Sequence, residues 1–169
     1  MSAQADDYIC LEIALSGPCM AFPLPSPMRR ALDLAAAAAE AGEVPVGAVV
    51  TKGDAIVATS GNAMRTTADP TAHAEIVALR TAAAALGTWR LDECDLWVTL
   101  EPCAMCAGAV GLARIRRLYW AADDPKGGAV AHGPRLYEHA TCHHRPEVYS
   151  GIGAEEAARQ LRAFFGGRR

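Results

Sequence analysis

Two short stretches carry residues whose types and spacing suit metal chemistry: His73-Ala74-Glu75 and Pro102-Cys103-Ala104-Met105-Cys106. Residues three apart share one face of a helix, so Cys103 and Cys106 can present two thiolates to a single point, with His73 as a third ligand. Two thiolates neutralise a divalent ion, and a helix start favours the thiolate form of both. Three protein ligands leave a fourth position for water, the mark of a catalytic zinc site rather than a structural one. Zinc lowers the pKa of such a water toward about 7, which gives hydroxide at neutral pH. Glu75 lies two positions after the histidine, where a helix turns it away from the ligand, so it is the candidate proton carrier. Water attack on an amino-bearing ring carbon, with one carboxylate moving the protons, yields a carbonyl and ammonia.

Both motifs need a helix start behind them, and the surrounding pattern supplies one for each. Met28, Leu32, Ala35 and Ala39 recur at helical spacing up to Gly42, which predicts a first helix. Short β-branched runs over 44–50 and 55–59 flank Lys52-Gly53-Asp54 and read as a hairpin. A second helix is expected after Asp69-Pro70-Thr71, with Asp69 or Thr71 as cap and Pro70 in the first turn, running to Gly87. A strand over 95–100 leads into a third helix opened by Pro102; strands over 115–121 and 147–149 and a helix over 154–165 complete the chain. The alternation implies an α/β fold with helices on both faces of a sheet of about five strands, and sites where strands hand over to helices.

A length of 169 residues fits one domain, and 51% hydrophobic with 21% charged residues is ordinary globular usage. The net charge of -3 excludes a broadly basic nucleic-acid binder, so any such contact must be local. Residues 1–26 hold Asp6, Asp7 and Glu12 with no Lys or Arg, which leaves the rest of the chain neutral. They show no clean period and are expected to be a poorly ordered N-terminal extension, with the domain spanning 27–169. Acidic residues stand where a secretory signal needs positive charge, and no apolar run reaches the roughly 20 residues of a membrane span. A cytoplasmic protein is expected. Six Cys in that setting favour metal or free thiols over disulfides. Cys142-His143-His144 is a weaker second group, because adjacent residues rarely converge on one ion.

From Pro27 onward the chain resembles the bacterial tRNA-specific adenosine deaminases, within the cytidine deaminase superfamily. The likeness rests on Glu43-Val44-Pro45-Val46-Gly47-Ala48-Val49, on Asp69-Pro70-Thr71-Ala72-His73-Ala74-Glu75-Ile76, and on Val98-Thr99-Leu100-Glu101-Pro102-Cys103 continuing through Cys106 to Ala109. It extends to Asp124-Pro125-Lys126-Gly127-Gly128-Ala129 and His144-Arg145-Pro146-Glu147-Val148-Tyr149. The resemblance implies a three-layer α/β/α sandwich with a mixed sheet of about five strands. It implies one Zn2+ per subunit on His73, Cys103 and Cys106, and Glu75 as the catalytic residue. The substrate would be adenosine at the wobble position of a tRNA anticodon stem-loop, converted to inosine; a deaminase of a free base or nucleoside would share the same zinc motifs.

By the same resemblance Asn62 and Ala74 belong to the base pocket, Asp124 approaches the ribose and Lys126 a phosphate, and the enzyme is a homodimer. Read from the residues alone, Asn62 also suits a turn, since Asn tolerates the left-handed region, Asp124 a turn, and Lys126 a solvated loop. Arg114, Arg116, Arg117, Arg145, Arg159, Arg162, Arg168 and Arg169 are either phosphate contacts or scattered surface charges. Small residues Ala104, Ala107, Gly108 and Ala109 would permit close packing of the third helix in a dimer.

Overall fold

Apolar residues at alternate positions of the inner strands leave two sheet faces to be covered, and helices cover both. The computed structural model describes residues 23–167. Most of the expected extension over 1–26, together with Arg168 and Arg169, therefore lies outside the described residues. Five strands, β1 (Gly47–Lys52), β2 (Ala55–Gly61), β3 (Cys94–Leu100), β4 (Arg117–Ala122) and β5 (Glu147–Tyr149), form one sheet in the order β2-β1-β3-β4-β5. β1 runs antiparallel to β2 and β3, whereas β3, β4 and β5 are parallel, so the sheet is mixed. The hairpin turns at Gly53, whose φ of 58° lies in the left-handed region that glycine enters without strain.

The helices are α1 (Ser26–Glu40), α2 (Met64–Thr67), α3 (Ala74–Leu86), α4 (Ala104–Leu112) and α5 (Ala154–Gly166). Ala48 and Val50 of β1, Leu96 and Val98 of β3, and Leu118 and Trp120 of β4 form one core with Ala78 and Leu79 of α3 and Ala107 and Val110 of α4. The intervening Val49 and Ala121 form a second core with Met28, Ala31 and Leu32 of α1 and Ala157 of α5. This is the three-layer α/β/α sandwich, with α3 and α4 on one face and α1 and α5 on the other. Leu24 packs against the second core just ahead of α1, so the body reaches slightly before Pro27.

Several boundaries differ from those read in the sequence. The helix expected after Asp69 begins at Ala74, because Asp69 accepts the Thr71 N–H at 2.8 Å and its hydroxyl at 2.7 Å and so closes a local turn instead of capping a helix. Pro102 and Cys103 precede α4 rather than opening it. β1 starts at Gly47, since Val44-Pro45-Val46 folds tightly with the Val46 N–H on the Val44 carbonyl at 2.7 Å. α2 and a 3-10 turn at Leu136–Glu138 are too short to leave a sequence period.

Candidate metal and substrate site

His73 and Cys103 occupy equivalent places: each is the extended residue that caps the start of a helix on the same sheet face. Neither uses its side chain as a cap, which leaves both free for a ligand's work. Cys106 lies one turn into α4, so its sulfur points back to the same spot. The His73 Nδ1 stands 3.7 Å from the Cys103 sulfur and 3.5 Å from that of Cys106. The three ligand atoms lie within 4.8 Å of one another and could hold a metal ion; among the described residues they form the one such group.

The two thiols divide a proton unequally. The hydrogen bond from Cys106 holds the Cys103 thiol down to about 4 against the opposing cost of burial, with His73 adding to the effect. Cys106, as donor to that thiolate, in a buried place and near Glu75, is pushed well up. The expectation of two low thiols therefore holds for one of them, and an arriving cation would displace the proton of the other. The His73 imidazole is raised, chiefly by its bond with Cys103. Glu75, 4% exposed, is raised by burial, which the neighbouring His73 partly offsets.

These groups open into a cleft of about 140 Å³ lined by Val46, Asn62, His73, Glu75, Cys103 and Asp124, among others. Ala74, at 0% exposure, is the buried link between ligand and carboxylate. Asn62 is buried, and its φ is not positive, so the turn reading fails. Its Nδ2 donates to Glu43 Oε2 at 3.2 Å. Glu43 is itself buried, and its other oxygen accepts the Arg65 N–H at 2.7 Å, the Thr66 N–H at 2.8 Å and the Thr66 hydroxyl at 3.0 Å. Burial pushes its carboxyl up, but these bonds outweigh it and hold the group below its ordinary range. Glu43 thus fixes the rotamer of Asn62 and one wall of the cleft, a part that its place in a sequence motif does not announce.

Residues 25–149 match the MafB19-like deaminases. The tRNA-specific adenosine deaminase of Agrobacterium fabrum is 54% identical over 138 residues, covering 82% of this chain and 91% of that protein. The chain belongs to this deaminase family. A solved structure from work on A-to-I editing by tRNA:A34 deaminases at the wobble position of transfer RNA is 53% identical, with a TM-score of 0.79 over 80% of this chain and 98% of the other. The guanine deaminase from Nitrosomonas europaea shares the fold at 27% identity and a TM-score of 0.72, over 83% of each chain.

Elsewhere in the deaminase the sequence candidates scatter. Asp124 reaches the cleft, while its Oδ1 accepts the Lys126 and Gly127 N–H groups at 3.1 and 3.0 Å. Lys126 is exposed and does not line the cleft. Arg116, Arg117 and Arg159 are engaged by Asp95, Glu147 and Glu156, each at 2.9 Å or less, so three of the candidate phosphate contacts already have acidic partners. The Cys142 thiol donates to the His144 carbonyl at 3.1 Å and the His144 Nε2 meets the Ile115 carbonyl at 2.7 Å, so Cys142-His143-His144 does not converge.

Proposed function

We propose that this deaminase is a zinc-dependent hydrolase that converts adenosine to inosine at the wobble position of a tRNA anticodon stem-loop. The carrying observation is a buried carboxyl, Glu75, beside the His73, Cys103 and Cys106 cluster in a chain 54% identical to a tRNA-specific adenosine deaminase. Sulfur and nitrogen donors held tetrahedrally by zinc at about 2.3 and 2.05 Å stand about 3.6 Å apart, which the spacings of 3.7 and 3.5 Å fit. One imidazole and two thiolates also suit the softness of zinc.

When bound, zinc supplies the Lewis acidity that activates water at neutral pH. Glu75 takes the proton of the attacking water as carbon six of the adenine is attacked, and passes it to the adjacent ring nitrogen. The same carboxyl then takes the remaining proton from the hydroxyl now on carbon six and gives it to the departing amine, so adenosine and water give inosine and ammonia. Burial suits Glu75 to this work, because it raises the carboxyl above its ordinary range and so strengthens it as a proton acceptor. Asn62, held by Glu43, orients the base over buried Ala74; Asp124 takes the ribose side, and exposed Lys126 a phosphate. The target base must leave its stack, which is cheap for a loop nucleotide.

The remaining parts of this reading are one Zn2+ per subunit, a cytoplasmic enzyme and a homodimer, with the chemistry carried by residues 27–169. Among the described residues no helix is long and apolar enough to cross a membrane. Zinc-loaded protein incubated with an anticodon stem-loop should form inosine at the wobble adenosine and release no ammonia from free guanine, cytosine or adenosine. Ammonia from a free base with no inosine in RNA transfers the chain to the second reading, which its likeness to a guanine deaminase supports.

A further inference from the structure

The residue before the Pro-Cys pair, Glu101, does something the chemistry above leaves unassigned. Its side chain is wholly buried, yet it is a carboxylate at the exit of β3, two residues before Cys103 and on the wall of the same cleft. Oε1 accepts the N–H groups of Val130, Ala131 and His132 at 3.1, 2.8 and 3.0 Å. Oε2 accepts the Asp124 N–H at 3.2 Å and meets the His132 Nδ1 at 2.6 Å. All of these donors belong to one loop, 23 to 31 residues further along the chain. That loop comes so close that a Cβ on Gly128 would lie 2.6 Å from a Glu101 carboxylate oxygen and equally near the Asp124 carbonyl. Both oxygens are taken up by the loop, so Glu101 is not available as an acid or base.

The loop so gathered carries Asp124, which lines the cleft. Because the Asp124 side chain closes its own turn onto the Lys126 and Gly127 N–H groups, pinning the Asp124 N–H places the whole turn. We propose that Glu101 is a positioning residue that sets the height of the 124–132 loop over the cleft and governs RNA affinity through Asp124, not the chemical step. This rests on the reading of the cleft as an RNA deaminase site.

Glu101→Gln tests it. The amide keeps one acceptor for the 130–132 N–H groups but sets an NH2 against the Asp124 N–H, which is left unpaired. Zinc-loaded parent and variant are compared by amide hydrogen exchange, by bound zinc, and by KM and kcat on an anticodon stem-loop. Exchange over 124–132 should quicken at least about tenfold, KM should rise about tenfold with kcat within about twofold, and zinc should stay at one per chain. In an Asp124→Ala background the KM effect should disappear, because the two act as one unit. Unchanged exchange, a fall in kcat at constant KM, or KM effects that multiply would each overturn the proposal. Should Glu101→Gln not fold, His132→Ala removes only the half-exposed contact; it should raise KM about threefold, and an unchanged KM there also overturns it. If the parent itself forms no inosine, the RNA reading falls, and the exchange data alone decide whether Glu101 holds the loop.

Discussion

Glu75 occupies the second position of α3, where chain geometry separates it from His73 while both face one cleft. A carboxyl that moves protons must be replaceable by its amide without harm to the fold, since the amide keeps the shape and lacks only the proton. Glu75→Gln should therefore retain one zinc per chain and an undiminished Tm, while inosine formation falls about 10²- to 10⁴-fold. Burial supports the stability half of this, because the charged form is the one that burial penalises. Full activity in the variant removes Glu75 from the mechanism, and lost zinc makes it a structural support of the cluster. Asn62 stands on a different footing: its amide is held by its hydrogen bond to Glu43.

At the scale of elements, the site depends on how closely α1 lies on β1. A Cβ on Gly47 would run into the Ala31 carbonyl and lie 2.8 Å from the Ala35 amide, both rigid backbone, so glycine alone permits the approach. The Gly47 N–H in turn donates to the Thr99 hydroxyl at 3.1 Å, tying the start of β1 to the end of β3 just before Glu101 and Cys103. Gly47→Ala should cost about 3 kcal/mol or more by overpacking, which lowers Tm by roughly 6–12 °C for a chain of this size. An unchanged Tm in differential scanning calorimetry would mean that α1 can lift off without penalty. Periodicity made the inner strands and four long helices legible, since each buries a face whose repeat is written in the residues, whereas β5 is exposed along its whole length and was legible only as a short run beside an edge. Motif spacing made the grouping of His73, Cys103 and Cys106 legible. What the sequence hid is set by loops: the Asp69 turn delays α3, and Glu43 and Glu101 gather backbone N–H groups from segments far along the chain. The sole hint was a carboxylate between apolar neighbours, as in Leu100-Glu101-Pro102, where burial demands partners.

For the whole molecule, charge and apolar surface point in different directions. The -3 of the full chain resides in residues 1–26, and several arginines of the neutral remainder are already paired, so RNA affinity has to come from few contacts. Apolar surface is concentrated instead around α4, where Leu112 is 77% and Trp89 64% exposed. Two hollows of about 450 and 300 Å³ flank that helix, and both are lined by Trp89 and Leu112. Exposed apolar groups gathered around one helix are costly to leave in water and suit a second copy of the chain, with Gly108 leaving open space for close approach. Light scattering at micromolar concentration should give twice the chain mass of 17.8 kDa. Leu112→Glu combined with Trp89→Glu should move it to the monomer by placing like charges in the contact. A monomeric parent contradicts the dimer, whereas a dimer that survives both charges puts the interface on another face. Since α4 carries Cys106 on its buried side and Leu112 on its exposed one, dissociation should also lower inosine formation at saturating RNA.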